Sequence, residues 1–248
     1  MKYLDTDTLD GVDSETFQTR QPYPFVNPQG CMTDAAFQTL VASLPDAAQF
    51  EGSFGVERKY GQASHDRYVL EYVDGIDLPK PWQEFVDELK SDRYRDFIAR
   101  MLGRRNFRLR FHWHYAPNGG VVSPHCDSVG KLGSHIFYMN TPDDWDPSWG
   151  GETLILDDQG RFDVESSPDF DDFDSAIAAE TTDNRSLIFG RRNKSWHGVR
   201  PIVCPEGAMR KVFIVVFEDA SPRKMFVKRV RRLLTGKPLV TEKERAMY

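Results

Sequence analysis

Phe107-Arg108-Leu109-Arg110-Phe111-His112-Trp113-His114-Tyr115 alternates without a break between large apolar side chains and charged or imidazole ones. Successive side chains of an extended strand point to opposite faces, so the segment reads as a strand. Phe107, Leu109, Phe111, Trp113 and Tyr115 form its apolar face, with Arg108, Arg110, His112 and His114 on the other. Downstream, Ile136–Met139, Thr153–Leu156, Ser186–Phe189 and Val212–Phe217 are further short β-type runs, separated by turn sequences such as Pro117-Asn118-Gly119-Gly120. Short strands joined by turns, with no helices between them, predict an antiparallel sandwich or jelly roll.

Upstream of this region the period is helical. Phe37, Leu40, Val41 and Leu44 recur at i, i+3, i+4 and i+7, with Thr33 or Asp34 as cap and Pro45 as stop. Trp82, Phe85, Val86 and Leu89 repeat the pattern after Pro81. Tyr94, Phe97, Ile98 and Met101 do so between Ser91 or Asp92 and Gly103. Each helix presents one apolar stripe and needs a sheet or another helix against it. Arg67–Tyr72 reads as a strand and residues 1–30 as irregular. The expected organisation is an N-terminal irregular and helical region (1–105) packing on a β-rich core (106–220), followed by a basic C-terminal extension (221–248).

Composition narrows the function classes. The 248 residues carry a net charge of −6, which speaks against nucleic acid as the main partner. Three scattered cysteines, Cys31, Cys126 and Cys204, form no CxxC pair and indicate neither a zinc ribbon nor a disulfide framework. No apolar stretch is long enough for a transmembrane span. The opening Met1–Asp7 lacks the apolar core of a signal peptide, so a cytoplasmic location is expected. Residues 157–174 hold eight acids and one arginine and read as a solvated loop. Residues 222–237 hold seven Lys/Arg and no acid, and read as a basic amphipathic helix. That helix either packs its apolar side on the core or contacts an acidic partner or an anionic surface.

Chemistry concentrates in Ser123-Pro124-His125-Cys126-Asp127 and in Ser195-Trp196-His197-Gly198-Val199. On an extended segment His125 and Asp127 point to the same side, and His197 on a later strand can complete a facial triad. Two histidines and one carboxylate on one face of an octahedron suit Fe(II) and leave three positions open. An HxD tripeptide also occurs by chance, and a lone histidine beside Trp196 is more often a packed or generic pocket residue. The neighbouring motifs decide between these readings.

In order, Tyr115, His125-Cys126-Asp127, Phe137-Tyr138-Met139-Asn140, Trp145, Gly150-Gly151-Glu152-Thr153-Leu154, Leu187-Ile188-Phe189, His197-Gly198-Val199-Arg200-Pro201 and Gly207–Val212 resemble the 2-oxoglutarate/Fe(II) oxygenase family, particularly its prolyl-hydroxylase-like branch. The resemblance covers nearly half the chain. It implies a double-stranded β-helix (jelly-roll) core with N-terminal buttressing helices, a β-rich α+β fold. It implies Fe(II), 2-oxoglutarate and O2 as cofactor and co-substrates, with ascorbate as a candidate reductant. His125, Asp127 and His197 become the iron ligands. Arg210 becomes the clamp on the far carboxylate of 2-oxoglutarate, with Arg200 as competitor, and alternation places Arg210 on one face with Val212, Ile214 and Val216. Tyr115 and Tyr138 match positions that line the co-substrate pocket. His112, His114 and His135 miss the ligand spacing, Cys126 faces away from the metal, and Gly150-Gly151 serves strand entry.

Halogenating relatives carry a small residue where Asp127 stands, so the resemblance implies hydroxylation of an unactivated C–H, with desaturation and cyclisation as alternative outcomes. The substrate is a small molecule or an amino-acid side chain, including a prolyl side chain within a protein. The rival classes are a non-catalytic metal-binding jelly-roll sensor and a zinc hydrolase built on the same three ligands.

Overall fold

The computed structural model describes residues 1–56 and 58–220. The basic extension, 221–248, lies outside the described residues. In chain order the first half holds α1 (Thr6–Gly11), α2 (Ser14–Thr19), β1 (Phe25–Val26), α3 (Asp34–Ala42), β2 (Glu51–Ser53), β3 (Arg67–Glu71), α4 (Lys80–Leu89) and α5 (Asp92–Leu102). The second half holds β4 (Phe107–Ala116), β5 (Val122–Cys126), β6 (Lys131–Tyr138), β7 (Leu154–Asp157), β8 (Ser175–Ala178), β9 (Ser186–Gly190), β10 (Trp196–Val199) and β11 (Arg210–Asp219).

The strands form two sheets, ordered β1-β9-β6-β11-β4-β3-β2 and β5-β10-β7-β8. The pairings are antiparallel, as in the jelly roll read from periodicity. The longest ladder joins β4 to β11, from Arg210 opposite Ala116 to Asp219 opposite Phe107. Side-chain parity along these two strands separates the molecule into layers. Phe107, Phe111, Trp113, Phe213, Val215 and Phe217 face the helices and share one core with α3, α4 and α5. Trp82 of α4 sits at its centre, 5.3 Å from the Trp113 ring and 5.1 Å from that of Phe213. The opposite parity faces the space between the sheets. His112 is buried there, and Val212 packs with Ile136, Tyr138 and Ile155 in a second core.

Two of the three sequence-read helices start on their expected caps, while α4 starts at Lys80 with Pro81 in its first turn and no side-chain cap. Thr33 accepts from the Ala36 amide, Ser91 accepts from the Tyr94 amide, and Gly103 ends α5 in the left-handed region at φ 66°. Residues 1–30 are more ordered than expected: α1 and α2 form on Asp5 and Asp13 caps, and β1 adds to β9. The acidic loop is also not simply solvated. Its Phe162, Phe170 and Phe173 pack with Trp196 and Cys126, whose cluster includes Leu154 and Leu156 of β7. Aromatic side chains in an acidic segment are hidden by a net-charge reading, and their burial outweighs its polarity. No helix among the described residues is long and apolar enough to cross a membrane.

Candidate metal centre and co-substrate pocket

β5 and β10 are adjacent strands of the small sheet, and their register sets His197 opposite His125. Residues distant in sequence thereby become cross-strand neighbours with ring centroids 4.4 Å apart. Asp127, just past the end of β5, turns to the same side as His125, as the two-residue period requires. Each of the three residues offers a ligand atom, and these atoms lie within 4.8 Å of one another.

The hydrogen bonds around them settle which atoms are available. Nδ1 of His125 lies 3.0 Å from the Ser123 carbonyl, and Nδ1 of His197 lies 3.0 Å from the Ser195 carbonyl. A carbonyl can only accept, so both rings carry the proton on Nδ1 and turn an Nε2 lone pair toward Asp127. Those Nε2 atoms stand 3.9 Å from Oδ1 and 3.9 Å from Oδ2 of Asp127, respectively. Lys131 Nζ donates to Asp127 Oδ1 at 3.0 Å. Oδ2 is buried with no hydrogen-bond partner. A buried carboxylate oxygen with nothing to accept from is costly, and a cation at the focus of the three side chains would satisfy it.

Protonation favours the same use. Burial first, then the neighbouring His197, holds His125 far below the usual histidine range. Burial lowers His197 as well, against the opposing pull of Asp127. For Asp127 burial pushes the pKa up, but Lys131 and the two histidines outweigh it and hold the carboxyl below its ordinary value. Two neutral imidazoles and an ionised carboxylate are the states that metal ligation needs.

Arg210 lies on the inner face of β11 with Val212 and Ile214, and all three line the cavity that also holds the triad. Its Nε donates to the Gly151 carbonyl and its Nη2 to Thr153 Oγ1 at 3.2 Å. Tyr138 donates to the same Thr153 oxygen at 2.9 Å, and the guanidinium lies over the Tyr138 ring. Gly151 has a structural role here: it sits at φ 93°, and a Cβ would stand 2.9 Å from Arg210 Cδ. Arg200, the competitor, is exposed and paired with Asp171.

Tyr115 is a correction. It lies on the helix side of β4, stacked on Phe50 at 4.2 Å, because it shares the parity of Phe111 and Trp113. His114, of the other parity, lines the cavity in its place, although it is no member of the triad. His135 faces the helices and bonds Tyr94 Oη at 3.0 Å. Sequence reasoning missed Lys131, Thr153, His65 and Arg67. Thr153 sits inside the quoted Gly150–Leu154 motif, and Lys131 lies four residues past Asp127. His65 and Arg67 carried no signal, since only the tertiary placement of β3 and the segment before it brings them to the cavity.

Residues 111–217 match the sequence model of the 2OG-Fe(II) oxygenase superfamily. No curated protein matches the chain in sequence. Among solved structures, a prolyl-4-hydroxylase from Pseudomonas putida is similar at 15% identity and TM-score 0.60, covering 87% of this chain and 99% of that one. A prolyl hydroxylase from Trichoplax adhaerens, solved with a hypoxia inducible factor peptide fragment, is similar at 15% identity and TM-score 0.58, covering 94% and 93%. SnoK, a non-heme alpha ketoglutarate dependent carbocyclase from nogalamycin biosynthesis, is similar at 11% identity and TM-score 0.59, covering 90% and 92%. At these identities the solved structures speak for the fold.

Proposed function

We infer that this chain, a 2-oxoglutarate- and Fe(II)-dependent oxygenase through its domain at residues 111–217, hydroxylates an unactivated C–H bond of a small organic molecule and releases succinate and CO2. His125 Nε2, His197 Nε2 and Asp127 Oδ2 are its iron ligands, and the observation that carries this assignment is the buried, partnerless Oδ2 at their focus. Bound there with 2-oxoglutarate and O2, the iron supplies the oxidising chemistry. The chain's own side chains do the rest. Nδ1 bonds lock both imidazoles, and Lys131 occupies Oδ1 so that Asp127 offers one oxygen. Asp127 also fills the position that a halide would need, which favours hydroxylation.

Arg210 holds the C5 carboxylate of 2-oxoglutarate. It is a buried guanidinium whose hydrogen-bond partners are neutral, the Gly151 carbonyl and the Thr153 hydroxyl. Such a cation is stabilised by an anion docked against it. Tyr138 and Thr153 orient it. Three free thiols suit a reducing compartment, and the cytoplasm is the proposed location.

Anaerobic titration of the apo-protein with Fe(II) and then 2-oxoglutarate tests the assignment. A weak visible charge-transfer band saturating at one equivalent is expected, with succinate forming once air is admitted. Iron binding without the band would remove Arg210 from the assignment. A band without succinate, whatever substrate is offered, would favour the non-catalytic sensor.

A further inference from the structure

β5 carries His125, yet it is an edge strand: among the described strands it ladders to β10 alone. Its other edge has no ladder to fix it, while a metal ligand needs its ring held in angle and tautomer. The segment that leads into β3 lies against this region. Gly120, just before β5, lets it approach, because a Cβ there would stand 3.2 Å from the Asp66 carbonyl oxygen.

This segment clasps the Ser123 side chain twice. Ser123 Oγ donates to the Ala63 carbonyl at 3.3 Å and lies 3.3 Å from His65 Nε2. A hydroxyl has one proton and a carbonyl can only accept, so toward His65 the oxygen accepts, and that imidazole carries its proton on Nε2. His65 and Ser123 are 6% and 8% exposed, so water competes little for the bond.

His65 also touches the ligand itself. Its ring centroid lies 4.8 Å from that of His125, tilted by 59°, within the range of a favourable aromatic contact. Ser123 in turn supplies the carbonyl that accepts from His125 Nδ1 at 3.0 Å. His65 therefore meets His125 directly and, through Ser123, at the bond that sets its tautomer. Neither Ala63 nor His65 lies within residues 111–217, the stretch that matches the oxygenase model.

We propose that His65, supplied from outside that stretch, is a positioning residue of the metal centre: with Ser123 it fixes the ring angle and tautomer of His125. The proposal rests on the assignment of His125 as an iron ligand. It makes the metal centre a joint product of the jelly roll and the N-terminal half of the chain.

The test uses the full-length apo-protein, titrated anaerobically with Co(II), whose visible absorption reports both occupancy and ligand geometry. Affinity is taken from competition with a chelator. His65→Phe keeps a ring against His125 and loses the bond to Ser123, and Ser123→Ala removes the same bond from its other end. Each is expected to weaken Co(II) about tenfold and to shift the visible band at saturation. The double variant should be weakened about as much as either single one, because one bond is being removed. His65→Gln, which returns an N–H to Ser123 Oγ, should recover most of the loss. Urea unfolding of the apo-proteins separates positioning from folding, since a merely structural role lowers the midpoint and leaves the Co(II) affinity of the folded protein unchanged. Ser123→Ala, a small deletion, decides the matter alone if His65→Phe does not fold. Affinities within about twofold of wild type in the single variants would overturn the proposal. So would a double variant weakened about a hundredfold, or a His65→Gln variant no tighter than His65→Phe. Failure of the underlying ligand assignment shows separately, as a wild-type protein that Co(II) does not saturate or a spectrum that His125→Ala leaves unchanged.

Discussion

Asp127 has two oxygens in different situations, and that asymmetry makes it a usable ligand. Oδ1 accepts from Lys131 while Oδ2 accepts from nothing, and both side chains are largely hidden from solvent. Lys131→Met would leave a buried carboxylate with no partner at either oxygen, a loss of about 1–3 kcal/mol in the apo-protein. Urea unfolding with and without Zn(II) checks this, and the gap between variant and wild type should narrow when metal is bound. The two tyrosines read from the sequence as pocket residues separate cleanly. Tyr138→Phe removes the bond to Thr153 that helps fix Arg210, and should raise the KM for 2-oxoglutarate several-fold without altering Fe(II) affinity. Tyr115→Phe should leave both unchanged, because its ring lies on the helix side. Equal KM increases in the two variants would contradict the placement of the pocket.

At the scale of elements, the β5–β10 pair carries the two histidines of the candidate metal centre, and Gly198 controls its spacing. A Cβ at Gly198 would stand 2.6 Å from the Val122 carbonyl oxygen, at the irregularity in register between His197 and Val199. Gly198→Ala therefore pushes β10 away from β5, an overpacking cost of about 1–3 kcal/mol. It should also weaken Fe(II) binding at least tenfold, since His125 and His197 sit on the two strands being separated. Unchanged affinity measured by competition with a chelator would show that the strands tolerate the shift. The elements legible in the sequence are those long enough to display a period. α3 and α5 announced themselves by stripe and cap, α4 by stripe and Pro81 in its first turn, and β4 and β11 by alternation or an unbroken apolar run. α1 and α2, of six residues each, are too short for a period to show, and Ser175–Ala178 is a short strand exposed on both faces, with no alternation to read.

Over the whole molecule, all six histidines have pKa values lowered by burial: His65, His112, His114, His125, His135 and His197. His135, for example, is pressed down to about 3. Each is neutral when folded and takes up a proton near pH 6.5 when unfolded. Because the folded pKa is the lower one, the stabilisation is fully present above pH 6.5 and is lost as pH falls toward the folded values. Each histidine contributes a slope of up to about 1.4 kcal/mol per pH unit. The urea midpoint of the apo-protein should therefore fall steeply between pH 6.5 and 5, before most carboxylates titrate. A flat midpoint over that interval would mean that the histidines are not buried neutral.

The sequence alone determined the class of the molecule and singled out the side chains proposed to carry its chemistry. Two-residue periodicity gave the β core, and His125, Asp127, His197 and Arg210 were readable because the strand period and motif order act locally. The tertiary structure decided which face of each strand became the inside. β4 has one apolar and one polar face, and the apolar one packs on the helices, which left His112 and His114 inside between the sheets. Parity along β4 already grouped Tyr115 with Trp113, yet only the packing of α3, α4 and α5 showed that this side leads away from the cavity. Lys131 reaches Asp127 locally, from four residues downstream, whereas His65 and Arg67 reach the cavity through long-range contacts that leave no local trace in the chain.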